Sequence, residues 1–287
     1  MNAVKLAIPL FVALAFGPAQ GWAVPILNPA LASFAVLGAT GVTNVPVSTI
    51  GGNLGSSPNA SVGGGYVFSA GSLQQNTALA AQAQIDLDAA ILAVNAGVGI
   101  GLGPVLSGTI SPGTYNVGAA GTNIPGALIL DGGGSNTAVW KFRFSSTFIM
   151  SEGSDVSVIN VGDGSGVGIY WTVGSAATLD GDTLVGNVLA NQLISSNGGL
   201  TLGCGRLASA EAAVTLIMDT ISIGCGVAGT TGFGSGGFDQ GVPIGSGGTG
   251  GSGGQIVNGV PEPATLLLFG FGLAGLFVFR KKLFSVA

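Results

Sequence analysis

Hydrophobic and polar positions alternate in short segments through the central part of the chain. In the segment AVWKFRF, aromatic residues take every second position and basic residues lie between them: Trp140, Phe142 and Phe144, with Lys141 and Arg143. This alternation predicts a strand with one buried aromatic face and one solvent-facing polar face. Further runs rich in β-branched and aromatic residues follow, each ended by Gly, Asp, Asn or Ser: GIYWTV, DTLVGNVLA, GLTLGCGRLAS and AVTLIMDTISI. The pattern predicts many short strands joined by tight turns.

A loose repeat indicates how these strands are arranged. The segment GNVLA at 186–190 recurs as GRLAS at 205–209, a shift of 19 residues, which fits one turn of a solenoid. Upstream, Phe34–Leu37 and the segments LSGTISPGTYNV and GALILDGGG are also strand candidates, separated by Gly and Pro turns. The sequence therefore predicts a mainly β fold, an irregular right-handed parallel β-solenoid whose first coils begin near residue 30.

The pattern changes to a helical period between about Leu73 and Val94. Apolar residues there form one stripe: Leu79, Ala83, Leu87, Ala90, Ile91 and Val94. Polar residues lie mostly away from that stripe: Gln82, Gln84, Asp86 and Asp88. This predicts one amphipathic helix, ended by Asn95 and the glycines after it. Because the helix cannot bury its stripe alone, we expect it to lie along the solenoid, with a partner-binding helix as the alternative.

Four segments follow one another between residues 30 and 223: FAVLGATGVTNVPVSTIGGNLGSSP near the N-terminus, then VWKFRF, IYWTVGSAATL and GNVLA. By these segments and their order, residues 30–223 resemble the bacterial and fungal ice-binding protein family with the discontinuous β-solenoid domain. The resemblance implies a solenoid with a helix alongside, and binding to ice or ordered water through a broad flat face rather than a pocket. An adhesive or structural protein that binds extracellular polysaccharide on the same scaffold is the alternative.

Short uncharged side chains suit such a face, because the β-branch of Thr stiffens the side chain while its methyl and hydroxyl groups contact ordered water. Candidates at similar places in successive repeats are Thr147, Thr178, Thr183, Ser196, Thr201 and Thr215. Ordinary solvent-facing strand residues are the alternative for each. The segment Thr40–Thr43 lies in the N-terminal motif, where we expect a structural role.

Composition argues against catalysis and against nucleic-acid binding. The 287 residues include 54 Gly and no His, and only 7% are charged. Three basic and eleven acidic residues between 24 and 260 leave no basic patch for a nucleic acid. Without His the commonest general base and metal ligand is missing. Asp180 and Asp182 could form a carboxylate pair or a weak calcium turn, but these and Asp163 fit ordinary turns. We expect no enzyme activity, metal or cofactor.

The chain ends predict export. Residues 1–23 have a basic start at Lys5, an apolar segment and a small-residue cleavage site, as a signal peptide for signal peptidase does. The solenoid domain at 24–225 is followed by a Gly-rich linker at 226–259. Residues 260–287 contain VPEP, an apolar stretch and a basic end: Val260, Pro261, Glu262 and Pro263, then Arg280, Lys281 and Lys282.

That C-terminal arrangement resembles the PEP-CTERM sorting signal, which implies processing by an exosortase. The apolar segments at both ends are predicted helices, and the C-terminal one would hold the chain in the membrane before processing. A simple membrane anchor is the alternative. In both cases the domain lies outside the cell, released or at the cell surface.

The chain has two cysteines, Cys204 and Cys225. In an exported protein such a pair is most simply a disulfide. Their separation of 21 residues is near one coil, so the bridge would join adjacent strands, whose spacing suits a disulfide. Two unpaired buried thiols are the alternative.

Overall fold

The computed structural model describes residues 26–161 and 166–224. The predicted signal peptide, the Gly-rich linker, the sorting segment, the terminal apolar helices, Asp163 and Cys225 lie outside the described residues.

The described residues form two helices and 19 strands. The helices are α1 (Pro29–Ala32) and α2 (Ala78–Asn95). The strands are β1 (Phe34–Gly38), β2 (Gly41–Gly51), β3 (Asn53–Ser56), β4 (Val62–Ala70), β5 (Leu73–Gln75), β6 (Ile100–Leu102), β7 (Gly108–Ile110), β8 (Gly113–Val117), β9 (Leu128–Asp131), β10 (Val139–Phe144), β11 (Phe148–Met150), β12 (Val156–Ile159), β13 (Gly168–Val173), β14 (Ala177–Leu179), β15 (Thr183–Ala190), β16 (Ile194–Ser196), β17 (Thr201–Ser209), β18 (Ala213–Leu216) and β19 (Thr220–Ser222).

The strands pair in parallel along three rows, which form the faces of a solenoid. The helix face runs through β6, β8, β10, β13, the second halves of β15 and β17, then β1, β3 and β5. The serine–threonine face runs through β11, β14, β16, β18, and the first halves of β2 and β4. The threonine face runs through β7, β9, β12, the first halves of β15 and β17, then β19 and the second halves of β2 and β4.

Long strands turn from one face to the next at defined points. In β15 the register shifts at Gly186, whose φ is +96°. A Cβ atom there would lie 2.6 Å from Cβ of Ile169, so only glycine fits this bend. The following residues of β15 pair with β17 at the 19-residue shift that the sequence repeat predicted, with Asn187 opposite Arg206. The predicted parallel solenoid is therefore confirmed.

The N-terminal coils do not lie at the end of the stack where chain order would place them. On the helix face β1 pairs with β17, with Val36 opposite Leu207. On the other faces β2 pairs with β18 and β19. The N-terminal segment thus stacks on the C-terminal coil, and we call this junction the seam. The strands that follow α2, beginning with β6, form the opposite end of the stack.

The interior is a continuous stack of apolar side chains, with one layer for each coil. Aromatic rings form part of this stack. The ring centres of Tyr115 and Phe142 lie 5.5 Å apart, those of Phe142 and Trp171 lie 4.4 Å apart, and both pairs are stacked. Trp140, Phe142 and Phe144 are all buried, which confirms the predicted aromatic face of β10. Such stacking stabilises neighbouring coils beyond the burial of apolar area.

Helix α2 covers the helix face, as predicted. It begins at Ala78, later than expected, because Leu73–Gln75 instead pairs with β3 as strand β5. The hydroxyl of Thr77 accepts a hydrogen bond from the N–H of Ala80 and caps the first turn. Its 18 residues extend about 27 Å, about the width of six adjacent strands. None of the helices in residues 26–161 and 166–224 is long and apolar enough to cross a membrane.

The buried stripe of α2 differs in part from the prediction. Ala83, Leu87, Ala90 and Val94 are buried as expected, and Ala80 joins them, but Leu79 is exposed. Asp86 was predicted to lie away from the core, yet its side chain is only 4% exposed. It accepts hydrogen bonds from the N–H of Leu31 (3.3 Å) and from the side-chain amides of Asn28 and Gln82. This carboxylate therefore joins α2 to α1.

Two of the basic residues serve the fold rather than a solvent-facing surface. The guanidinium of Arg143 donates to the carbonyl oxygens of Val94, Ala96 and Gly97, so it caps the C-terminal end of α2. The polar side of β10 is thus partly covered, contrary to the prediction. Arg206 is fully buried beneath α1 and donates to the carbonyl oxygens of Ala32 and Phe34.

Candidate functional site

The threonine face carries four threonines in register on four adjacent strands. Thr183 of β15 pairs with Thr201 of β17, Thr201 with Thr220 of β19, and Thr220 with Thr49 of β2. All four side chains are partly exposed. Neighbouring strands lie about 4.7–4.9 Å apart, so the four hydroxyl and methyl groups repeat at nearly constant spacing. We call this set the threonine row.

The strands beneath the row hold it rigidly. The residue after each threonine points inward and is buried: Leu184, Leu202, Ile221 and Ile50. Because side chains alternate between the two sides of a strand, burial of these residues directs the threonines outward. Each threonine also has a restricted χ1 angle. The row is therefore a preorganised surface.

Beside the row, buried small residues follow three of the threonines, whereas the buried Val185 follows Thr183 and the exposed Val47 precedes Thr49. Gly203, Ser222 and Gly51 follow two residues after Thr201, Thr220 and Thr49 on the same strands. A Cβ atom at Gly51 would lie 2.6 Å from Oγ of Ser222, so the strands pack here without room for larger side chains. The row ends at the exposed Val67 on one side and at the exposed Asp155 on the other.

A second row lies on the serine–threonine face. Thr178, Ser195, Thr215 and Thr43 are in register on β14, β16, β18 and β2. Larger side chains interrupt the surface around it, since Leu193 and Val45 are 41% and 61% exposed. Asp180 lies two residues after Thr178 and is partly exposed. The second row contains a serine in place of one threonine, and like the threonine row it lies near a carboxylate and exposed apolar side chains.

The six residues that the sequence offered for the ice-binding face do not share one face of the structure. Thr183 and Thr201 belong to the threonine row, whereas Thr178 and Thr215 belong to the second row. Thr147 directly precedes β11 at the edge of the serine–threonine face and is partly exposed.

Ser196 was predicted to face outward, and the structure corrects this. Its side chain is buried, and its hydroxyl donates to the carboxylate of Asp219. Ser195, one residue earlier, is the outward residue of this strand.

The prediction missed Thr220 and Thr49 of the threonine row, and Ser195 and Thr43 of the second row. Thr220 follows Thr201 by the same 19 residues that separate the GNVLA and GRLAS segments, so the repeat contains the signal for it. Thr49 carries no such signal, because it meets Thr220 across the seam.

A buried polar cluster lies at the corner between the serine–threonine face and the threonine face. The carboxylate of Asp219, 1% exposed, accepts hydrogen bonds from the N–H groups of Leu200 and Ile217, each at 3.0 Å, and from Ser196. Burial raises the pKa of Asp219 above its ordinary value, and these hydrogen bonds oppose that shift. The carboxylate satisfies backbone donors at the turns that connect the faces.

The sequence candidates for a carboxylate or calcium site, Asp180 and Asp182, lie at the corner between β14 and β15. Asp182 is exposed, and its backbone N–H donates to the carbonyl oxygen of Ser154. Oδ1 of Asp180 has no hydrogen-bond partner in the structure. Within the part of the chain that the structure describes, no three His, Cys, Asp or Glu residues lie close enough to hold a metal ion. These aspartates serve as turn residues in the described coils.

A depression of about 640 Å³ lies at the C-terminal end of α2, between the helix and the helix face. Polar side chains line part of it, including Asn95, Asn116 and Arg143. Three donors of Arg143 are already bonded to helix carbonyls. The ring of Phe144 also lines it but is only 3% exposed, so no aromatic ring is open for a sugar to stack on.

Cys204 is buried in β17 with a φ of +52°. Its N–H donates to the carbonyl oxygen of Gly224 over 3.0 Å, so the residue before Cys225 lies on the adjacent coil. Cys225 itself is outside the described residues, and the Cys204–Cys225 bridge stays a prediction.

Comparisons with known proteins support the resemblance seen in the sequence. The profile of the PEP-CTERM protein-sorting motif matches residues 259–282, which confirms the predicted sorting signal and indicates export. A protein of Nostoc sp. (strain HG1) named ice-binding protein is 30% identical over 201 residues, which cover 67% of this chain and 72% of that protein.

Solved structures agree in fold. The ice-binding protein of the Antarctic ascomycete Antarctomyces psychrotrophicus is 29% identical, with a TM-score of 0.58, and the match covers 68% of this chain and 96% of that one. An ice-binding protein from an Antarctic biological consortium is 28% identical, with a TM-score of 0.62 and coverage of 76% and 96%. The profile of the family described as ice-binding-like matches residues 36–222, which include every strand from β2 to β19 and both rows of hydroxyl side chains. This chain therefore belongs to the ice-binding-like family.

Proposed function

We propose that this protein binds ice through its threonine face. The observation that carries the proposal is the threonine row, four in-register threonines on adjacent strands with no charged side chain between Thr183 and Thr49. Membership of the ice-binding-like family and the names of the similar proteins support the same function.

The row acts by ordering water rather than by enclosing a ligand. Each threonine offers a methyl group that water surrounds and a hydroxyl group that holds water by hydrogen bonds. Repetition of these groups at the strand spacing of about 4.8 Å arranges the bound water as a regular array. That array merges with the surface of an ice crystal. Many weak contacts then act together, because the rigid coils lose little conformational entropy when the threonines align with the ice surface.

The absence of charge along the row matters for the same reason. A charged side chain holds its hydration shell strongly, and burying it against ice without a partner is costly. Between Thr183 and Thr49 the row contains only threonine hydroxyls. Asp155 and Val67 border the two ends of the threonine row, and Asp180, Val45 and Leu193 lie near the second row on the serine–threonine face.

The protein acts outside the cell. Signal peptidase removes residues 1–23, and the C-terminal segment holds the chain in the membrane until an exosortase processes it near Pro261, Glu262 and Pro263. The Gly-rich linker at 226–259 separates the domain from this processing site. Binding to extracellular polysaccharide has less support, because the depression beside α2 offers no exposed aromatic ring.

Ice-affinity partitioning tests the proposal. The purified full-length chain is exposed to slowly growing ice, and the protein in the ice and in the liquid fraction is measured. We expect enrichment in ice, and we expect Thr201→Tyr to abolish it because the larger ring projects from the middle of the threonine row. Thr178→Tyr, on the serine–threonine face, is the matched control and should retain enrichment. Exclusion of the unmodified protein from ice would refute the function, and loss only in Thr178→Tyr would move it to the other face.

A further inference from the structure

The threonine row crosses the seam between two distant parts of the chain. Thr220 and Thr49 lie on adjacent strands, although 171 residues separate them in sequence. Elsewhere in the row, a single coil of the chain connects one threonine to the next and limits how far the strands can slip. At the seam no such short connection exists, so noncovalent contacts must set the register.

The residues that directly precede these two threonines make the contact. The N–H of Asp219 donates to Oγ of Ser48 over 2.9 Å, and the N–H of Thr49 donates to the carbonyl oxygen of Asp219 over 2.8 Å. Asp219 is therefore bonded to the opposite strand through both of its backbone polar groups. Ser48 and Asp219 are each 1% exposed, so water does not compete for these bonds.

The side chains of Ser48 and Asp219 extend the contact to further coils. The hydroxyl of Ser48 donates to Oδ1 of Asn44 over 2.7 Å, and the amide of Asn44 donates to the carbonyl oxygen of Gly65. On the other side, the carboxylate of Asp219 holds Ser196 and the turn before Thr201. The network thus links four consecutive coils at one corner of the solenoid.

We propose that Asp219 and Ser48 are positioning residues, which hold the C-terminal and N-terminal parts of the threonine row in one register. This inference rests on the proposed ice-binding function of the row. A slip of one residue between paired strands turns every outward side chain inward. The buried bonds at Asp219 and Ser48 oppose such a slip one residue away from Thr220 and Thr49. They align two short rows into a single longer one.

The test compares Asp219→Asn and Ser48→Ala with Asp86→Asn in the full-length chain. Ser48→Ala removes the hydroxyl that bridges Asp219 and Asn44, and Asp219→Asn places an amide against backbone N–H donors. Asp86 is the matched control, because it is also a buried carboxylate that accepts from a backbone N–H, but it belongs to α2 and is remote from the seam contact of Asp219 and Ser48. The melting temperature and the ice-to-liquid partition ratio are measured for each variant, the ratio at a temperature where circular dichroism shows all of them folded.

We expect the partition ratio of Asp219→Asn and of Ser48→Ala to fall by about tenfold, which corresponds to about 1.4 kcal/mol of adsorption free energy. Asp86→Asn should keep the unmodified ratio even where its melting temperature falls as much. Equal ratios in all three variants, or equal losses that follow melting temperature, would overturn the positioning role while the ice-binding function stands. Failure of the unmodified protein to enter ice would overturn both. Should Asp219→Asn not fold, the milder Ser48→Ala decides.

Discussion

Nε of Arg206 donates a hydrogen bond to the carbonyl oxygen of Phe34 over 3.1 Å, although 172 residues separate them in the chain. Arg206 also donates to the carbonyl oxygen of Ala32 and to the side chain of Asn187. It therefore joins α1 and β1 to β15 and β17 on the helix side of the seam. Burial lowers its pKa to about 10, so the guanidinium remains charged at neutral pH.

Replacing Arg206 should destabilise the protein strongly. Arg206→Met fills similar space but leaves the oxygens of Ala32, Phe34 and Asn187 buried without donors. We expect a loss of about 3 kcal/mol in the free energy of unfolding, measured by urea denaturation. Lys141→Met is the control, because Lys141 lies on the same face but its side chain makes no hydrogen bond to the described residues. Equal losses in the two variants would contradict the role of Arg206.

Two aspartates of α2, Asp86 and Asp88, should differ sharply in how much their replacement lowers the free energy of unfolding. Asp86 is buried and accepts from the N–H of Leu31, whereas Asp88 is exposed. Asp86→Ala leaves that N–H unpaired, so we expect it to lower the free energy of unfolding by about 1–3 kcal/mol. Asp88→Ala should change it by less than about 0.5 kcal/mol. Urea unfolding of both variants checks this, and a larger effect at Asp88 would show the helix packed the other way round.

Asp219 should make stability depend on pH in a defined direction. Because burial raises its pKa above the ordinary value of 3.8, the folded state binds a proton more readily than the unfolded state does. The stabilising contribution of protonated Asp219 to the free energy of unfolding is fully present below the pKa of the unfolded state. It is lost as pH rises through the pKa of the folded state. The melting temperature of the unmodified protein should therefore lose this contribution as pH rises through that window, and Asp219→Asn should not. Parallel pH curves for the two proteins would contradict the raised pKa.

The predicted Cys204–Cys225 bridge can be tested on the exported protein. Digestion without reducing agent should give one peptide pair joined through these residues, and the unfolded protein should show no free thiol. Cys204→Ser should lower the melting temperature, since loss of a bridge in a secreted domain costs about 2–5 kcal/mol. Two thiols that react with an alkylating reagent after unfolding would show that the cysteines are unpaired.

Several sequence predictions succeeded because they depend on local chemistry. Alternation in VWKFRF predicted the buried aromatic face of β10, and the 19-residue repeat predicted the pairing of β15 with β17. The helical stripe predicted α2 along the solenoid. The start of that helix was misplaced because the apolar Leu73 packs in a strand, and pairing with β3 overrides the local pattern there. Asp86 was misassigned because its buried partner, the N–H of Leu31, belongs to a distant segment.

The sequence by itself determined that short strands alternate with turns and that one helix accompanies them, because the period of apolar residues records which side of each element is buried. It also determined the sorting signal and the low charge of the coils, which depend on motif and composition alone. Only the tertiary structure decided which hydroxyl residues share a face. Thr183 and Thr178 look alike in sequence, yet they lie on different faces because the chain turns a corner between them. Thr49 joins Thr220 only because the N-terminal coil stacks on the C-terminal one. That contact is long-range, held by buried hydrogen bonds whose partners no local pattern connects.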